Sequence, residues 1–341
     1  MVEKTPTTPY TRSEVDVMRQ RVLVTGGAGY VGSILVQELL KRAYRVRVLD
    51  SLIHGMLPSL LPAWGDGGFE FVHGDVRDGD VRRAALEGAD SVVHLAAIVG
   101  DPACGRQPEL ARETNVDATS ALLDDAEAAG VTRFVFASTC SNYGKMADAG
   151  AFVTEETELR PVSLYAETKV AAEYDVLARG RNGLPSCCLR FATVYGTSPR
   201  MRFDLTVNEF TRDASVAGEL VVYGEQFWRP YIHVRDAAHA TALALEAPTE
   251  AVAGEVFNVG ETSENYRKLD LAEMLRERIP SATISFVHKD EDPRDYRVSF
   301  QKVKANLRFS GERTVESGIE EILALLRAGL VADPYASVYR N

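Results

Sequence analysis

The apolar positions of this chain fall into short buried runs separated by longer stretches that carry a helical stripe. The first run, Val22-Leu23-Val24 within residues 21–32, predicts a buried strand, a tight glycine turn and the start of a helix. Ile34, Leu35, Leu39 and Leu40 continue that helix as an apolar stripe. Further strands are predicted over 45–49, 69–73, 91–95, 133–138 and 186–191, with helices over 108–129 and 162–181. Strands alternating with helices of this length imply parallel βαβ units, hence an α/β fold with a doubly wound parallel sheet. Beyond residue 195 the alternation loosens. A loop over 198–202, helices over 203–217, 234–246, 269–278 and 319–328, and strands over 220–223 and 255–259 predict a smaller mixed α/β portion. The expected organisation is a dinucleotide-binding domain over 20–195, to which some later segments return, and a substrate-binding portion over 196–341. Residues 1–19 are polar and Thr/Pro-rich, and are expected to form a flexible extension without a signal-peptide core.

Composition narrows the class. Of the 341 residues, 45% are hydrophobic and 26% charged, the balance of an ordinary soluble enzyme. A net charge of −11 argues against a nucleic-acid partner, which requires a basic face, yet permits a local arginine pocket for an anionic ligand. Four cysteines, two of them adjacent at Cys187 and Cys188, form no disulfide framework and suit a reducing cytoplasm. No run approaches the roughly 20 apolar residues needed to span a bilayer, and no membrane or metal partner is expected.

The candidate chemistry begins at the glycine turn. Gly26, Gly29 and Gly32 stand in a GxxGxxG spacing, which allows a sharp turn, close approach of a pyrophosphate to backbone N–H groups, and close packing of helix on strand. The helix N-terminus then offers free donors and a partial positive charge to the phosphates. Asp50 ends the second strand, where a carboxylate accepts the hydroxyls of an adenosine ribose and repels a 2′-phosphate, favouring NAD over NADP. The small residues Ala96 and Ala97 leave room for a ligand at the end of the fourth strand. Tyr165 and Lys169, four apart on a helix, share one face. A free tyrosine titrates near 10, and a neighbouring ammonium together with an oxidised nicotinamide favours the phenolate a base requires. Ser138 and Thr139 end the fifth strand, where a hydroxyl can bond a substrate oxygen or simply cap the strand.

These segments together resemble the extended short-chain dehydrogenase/reductase family, and within it the nucleotide-sugar epimerase/dehydratase group that includes UDP-glucose 4-epimerase-like enzymes. The resemblance rests on TGGAGYVG at 25–32, Asp50, GDVRD at 74–78, HLAA at 94–97, Asn115, STCSNYG at 138–144, YAETK at 165–169 and RPYIHVRD at 229–236. It implies a Rossmann-type domain holding NAD, a nucleotide-sugar domain, and a homodimer through a four-helix bundle. Carried over residue by residue, it implies that Thr139, Tyr165 and Lys169 are catalytic. It implies that Gly26, Gly29, Tyr30, Val31, Asp50, Asp75, Val76, Leu95, Ala96, Ala97 and Asn115 hold NAD with Tyr165 and Lys169.

The resemblance also sorts reactions. Dehydratases of the group place Asp-Glu directly after the catalytic threonine, and decarboxylases carry a Glu at the second of these positions. Cys140 and Ser141 stand there, which disfavours both reactions and leaves reversible hydride transfer, as in a 4-epimerase. A 4-ketoreductase needs the same residues, and a non-catalytic NAD-sensing scaffold would not need them. Cys140 is a further candidate proton donor. On the substrate side Ser138 and Thr139 face the sugar, Asn208 resembles the asparagine that touches the pyrophosphate, and Arg229 resembles the diphosphate-binding arginine. Arg294 and Arg297 compete for a second diphosphate contact, with Arg294 preferred; Arg200 and Arg202 either line the sugar pocket or are solvated.

Overall fold

The computed structural model describes residues 20–54, 57–146, 151–292 and 294–341. The expected N-terminal extension lies outside them. Strands β1 Arg21–Thr25, β2 Arg45–Asp50, β3 Phe69–His73, β4 Ser91–His94, β5 Arg133–Thr139 and β6 Ser186–Phe191 form in the first half. They are followed by β7 Thr193–Tyr195, β8 Glu219–Tyr223, β9 Trp228–His233, β10 Glu255–Val259, β11 Asn265–Arg267 and β12 Thr283–Val287. Seven of these make one sheet in the order β10-β6-β5-β4-β1-β2-β3, parallel throughout. The strand order reverses at β1, so the connections leaving β1 and β4 diverge and open a crevice at their C-terminal ends.

The unbroken apolar run in β1 follows from burial on both faces. Val22 and Val24 pack into one core with Leu35 and Leu39 of the helix Gly32–Lys41 and with Ala237 and Ala238 of the helix Val234–Glu246. Leu23 points into the opposite core with Phe134, Phe136, Leu122 and Val176. Thus the helix Val234–Glu246 and strand β10, both late in the chain, lie with the first sheet. A third core, around Phe203, Tyr231, Leu271 and Ile319, underlies the second half. There β7, β9 and β11 form one small sheet, and β8 pairs with β12 in another.

The continuous helix expected over 108–129 is interrupted. Helix Pro108–Arg112 passes into a π-turn, Glu113–Asp117, before helix Ala118–Ala128. The widened turn delivers Asn115 to the loop after β4, where its amide pairs with both backbone groups of Ile98 at 2.8 and 3.0 Å. Single π-turns of this kind cluster at functional sites. The helix expected over 203–217 likewise begins at Thr206 and ends in a π-turn, Asp213–Ala217, that Gly218 terminates. Among the described residues no helix is long and apolar enough to cross a membrane, and no group of ligating side chains could hold a metal ion.

Candidate active site

A cavity of about 1040 Å³ opens where β1 and β4 part. Gly26 holds φ +72°, and a Cβ on it would lie 2.7 Å from the backbone nitrogen of Ala96. A Cβ on Gly32 would collide with the Gly26 carbonyl, so both positions require glycine. The Gly26 N–H donates to Leu49 and that of Gly29 to Gly26, at 2.9 and 3.1 Å. Gly26, Gly29, Tyr30 and Val31 all line the cavity, as do Leu95, Ala96 and Ala97 beyond β4.

Asp50 also lines it. Its Oδ2 accepts from the Ala28 N–H at 2.9 Å and its Oδ1 from Leu52 at 2.8 Å. Burial pushes this carboxyl above its ordinary value, against those two N–H bonds. Each oxygen keeps a second lone pair, the acceptor capacity that two ribose hydroxyls need. Asp75 and Val76 sit on the same wall, with Asp75 gripped by Arg77 at 2.7 Å and its carboxyl lowered by that pairing. These residues therefore fit a dinucleotide: a turn without side chains, an acceptor carboxylate and a small-residue floor.

Thr139, Tyr165 and Lys169 line the same cavity. Ser163 caps the helix Leu164–Asn182, whose first turns present Tyr165 and Lys169 to the cavity. Thr139, at the end of β5, is a hydrogen-bond partner of the Tyr165 phenol and accepts from the Ser141 N–H at 3.1 Å. Burial pushes the Tyr165 phenol above its ordinary value, and the influences that oppose this are Arg202 and Thr139. The sequence pointed to Lys169 for that role, and here the geometry differs. Lys169 is 3% exposed, donates to the Ala137 carbonyl at 2.9 Å, and is itself brought down to about 8 by burial.

Ser138 lines the cavity, but its hydroxyl donates inward to Glu173. Glu173 also accepts from Asn142 at 2.9 Å and forms a forked pair with Arg190 at 3.0 and 2.7 Å. Arg190 in turn donates to the Tyr143 hydroxyl at 2.9 Å, which donates to Asn258 at 2.6 Å. This buried network ties β5, β6 and the helix Leu164–Asn182 together directly behind Thr139. Cys140 faces it rather than the cavity: the thiol bonds the Arg190 carbonyl at 3.2 Å, and burial pushes it well above the ordinary range. The proton-donor role considered for Cys140 is therefore withdrawn.

On the far wall Arg229, Lys268 and Arg294 converge. Arg229 pairs with Asp292 at 2.6 Å and donates to the carbonyls of Trp228 and Arg294. Burial alone would raise the Asp292 carboxyl, but Arg229 and Lys268 hold it below its ordinary value. Arg294 reaches Asp101 at 2.9 Å, and the other oxygen of Asp101 accepts from Ser163 at 2.6 Å. Arg297 lies off the cavity, its guanidinium 4.6 Å from the Phe152 ring centre and 5.0 Å from that of Trp228.

Two residues expected at the ligand stand behind the wall instead. Asn115 braces the Ile98 loop and reaches Thr168 at 3.1 Å. Asn208 accepts from the Gly196 N–H at 3.0 Å and donates to the Arg202 carbonyl at 2.8 Å and the Tyr30 hydroxyl at 3.2 Å. Conversely, Asp101, Lys268 and Tyr296 line the cavity without a distinguishing local motif.

A glycine turn and an acceptor carboxylate facing a Thr–Tyr–Lys group across one crevice define a dinucleotide-dependent, short-chain dehydrogenase type of protein. Residues 22–260 match the NAD dependent epimerase/dehydratase family, and the chain belongs to it; NAD is its cofactor. The chain is 40% identical over 189 residues to a 3 beta-hydroxysteroid dehydrogenase/Delta 5-->4-isomerase of Mycobacterium tuberculosis, covering 54% of this chain and only about half, 49%, of that relative. It is 32% identical over 320 residues to a dTDP-glucose 4,6-dehydratase of Streptomyces niveus, covering 90% of this chain and 93% of the relative. Among solved structures, a UDP-glucuronic acid 4-epimerase from Bacillus cereus, in complex with UDP-glucuronic acid and NAD, superposes with a TM-score of 0.81. That pair shares 27% identity over 91% of this chain and 99% of the other.

Proposed function

We propose that this chain epimerises a nucleotide-diphosphate sugar at C4 through a transient 4-keto intermediate. The observation that carries the reading is a cavity joining Thr139, Tyr165 and Lys169 to a wall of Arg229, Lys268 and Arg294, with no carboxylate at positions 140 and 141. Relatives in the family carry out dehydration, decarboxylation and epimerisation, and the missing acid–base pair beside Thr139 favours the last. A basic wall suits a diphosphate, which guanidinium groups bind through paired hydrogen bonds.

When bound, NAD supplies a two-electron acceptor whose reduced form can return a hydride. Tyr165, as phenolate, takes the proton of the C4 hydroxyl, and Thr139 holds that hydroxyl in line. Lys169 holds the nicotinamide-side ribose. Arg229 and Arg294 anchor the diphosphate while the keto sugar turns over, and Tyr165 then returns the proton to the new C4 oxygen. Occupation by a diphosphate requires Arg294 to exchange its bond with Asp101 for the phosphate. The two halves of the chain divide these tasks, residues 20–195 with β10 for the cofactor and the remainder for the sugar nucleotide, in a cytoplasmic homodimer.

The test is incubation with a panel of nucleotide sugars followed by mass and stereochemical analysis. Unchanged mass with inverted C4 supports the proposal. Loss of water or carbon dioxide, or gain of two hydrogens with stoichiometric NADH consumption, would replace it with dehydratase, decarboxylase or reductase. Tyr165→Phe should abolish turnover while NAD stays bound.

A further inference from the structure

The loop over 196–204 reaches from the second half of the chain back onto the glycine turn. Ser198 donates to the Tyr30 carbonyl at 2.7 Å and shares a hydrogen bond with Ser33 at 2.9 Å, while the Tyr30 hydroxyl donates to Gly196 at 2.6 Å. Thr197 is held by Glu321 at 2.5 Å, and Asn208 spends its amide on the same loop. These bonds fix residues 200 and 202 relative to the start of the helix Gly32–Lys41.

Arg200 lines the cavity, yet it is only 1% exposed. Its Nη2 donates to the Arg340 carbonyl at 3.0 Å, and its buried Nε has no partner. Arg202 differs: it is forked onto Asp204 at 2.9 and 2.8 Å, so its charge is largely balanced. Asp50 lies within electrostatic reach of Arg200, and Tyr165 within reach of Arg202. The two guanidinium groups thus flank the path from the ribose-accepting carboxylate to the reactive tyrosine. A dinucleotide joining those points carries its two phosphates between them. A buried guanidinium without a carboxylate is unfavourable unless an anion joins it.

We infer that Arg200 binds the diphosphate bridge of NAD from the side opposite the glycine turn, making the 196–204 loop a clamp on the cofactor. Burial and Arg202 bring Arg200 down to about 10, so it stays charged at neutral pH. The Tyr339–Asn341 backbone seats the clamp: Arg340 accepts from Arg200, and the Asn341 N–H donates to Asp204 at 3.1 Å. The clamp gives an epimerase what its cycle demands, a cofactor that does not leave between hydride removal and return. The inference rests on dinucleotide binding and not on the C4 chemistry, so failure to epimerise any sugar leaves it standing.

The experiment is calorimetric titration of the full chain, freed of copurified nucleotide, with NAD, ADP-ribose, AMP and UDP. Arg200→Gln should weaken NAD and ADP-ribose on the order of 10- to 100-fold, the worth of a charged hydrogen bond, and leave UDP within about threefold. AMP, which lacks the bridge, should lose less than ADP-ribose. Arg200→Lys should recover part of the loss, because a charge without the fork remains. Weakened UDP with unchanged NAD would place Arg200 in the substrate site and overturn the inference. Equal loss of all four ligands with a lowered melting temperature, or no loss at all, would overturn it too.

Discussion

Glu173→Gln tests whether the network behind Thr139 holds the site. The Glu173 and Arg190 side chains are 2% and 5% exposed, so the substitution leaves a guanidinium buried without its counter-charge. Removing one partner of a buried pair costs about 3–5 kcal/mol, against a whole-fold stability on the order of 5–15 kcal/mol. At roughly 2–4 °C per kcal/mol for domains of 150–250 residues, the melting temperature should fall by about 6–20 °C. Urea unfolding gives the free energy directly. Ser138 and Asn142 lose the charge on the acceptor they share, so the end of β5 loosens and kcat should fall even well below the melting range. The double variant Glu173→Leu/Arg190→Met removes both charges and should recover most of the lost stability, since well-packed apolar replacements of buried pairs are often neutral. A single variant within about 1 kcal/mol of the parent, or a double variant no better than the single, would refute the reasoning.

Lys169→Met should lower turnover by roughly 10²–10⁴-fold while leaving the melting temperature at pH 7 unchanged or higher. The folded lysine titrates near 8 against an ordinary 10.5, so the unfolded chain binds its proton more tightly between those values. Parent stability should therefore rise with pH from 8 to 10.5, by about 3 kcal/mol in all, and the variant's curve should lack that rise. Glu321 gives a slope of the same sign in the acid range: burial opposes its ionisation, but His233 and Thr197 bring it to about 2 from an ordinary 4.5. Its contribution is complete above pH 4.5 and lost as pH falls toward 2, and acid unfolding of Glu321→Gln should show a shallower slope there. Gly32→Ala places a methyl group against the Gly26 carbonyl, and calorimetry should show NAD affinity reduced at least ~10-fold, since strain at such a position is among the larger single-residue effects.

The central sheet was legible because β1, β4, β5 and β6 are buried on both faces and read as unbroken apolar runs. Their parallel direction follows from the βαβ alternation, while their order and the crevice at β1 come from the pairing seen in the structure. What periodicity missed is local. A π-turn keeps the helical apolar spacing on both sides, so the break at Glu113–Asp117 leaves no trace in the pattern around Asn115. Strand β12 is mostly exposed, with Phe286 and Val287 open to solvent, and its alternation has no core to report. The first five residues of the motif RPYIHVRD at 229–236 lie in β9, the central strand of the small sheet, which periodicity does not mark.

At the site, residues whose placement follows from backbone shape were readable, because shape is written locally: the glycine turn, Asp50 at a strand tip, and the Tyr165–Lys169 helix face all line the cavity. Roles that depend on who else is buried nearby were not. Lys169 reads as the cation of Tyr165 from spacing, yet its ammonium donates to the Ala137 carbonyl and burial brings it down to about 8. The charge that offsets Tyr165 arrives on Arg202, from a loop more than thirty residues downstream. Asn208 shows the converse, since a polar residue in the expected place has donors and acceptor spent on Gly196, Arg202 and Tyr30. The same three bonds are what carry Arg200 to the cofactor side of the cavity. Replacing Asn208 should therefore resemble Arg200→Gln in cofactor affinity, although Asn208 itself lines no part of the cavity. Asn208→Ala leaves the buried Gly196 N–H without its acceptor, a loss of about 1–3 kcal/mol in stability, together with weaker NAD and ADP-ribose binding by calorimetry. Full cofactor affinity in that variant would show that the loop keeps its seat by other contacts, and would detach Asn208 from the clamp.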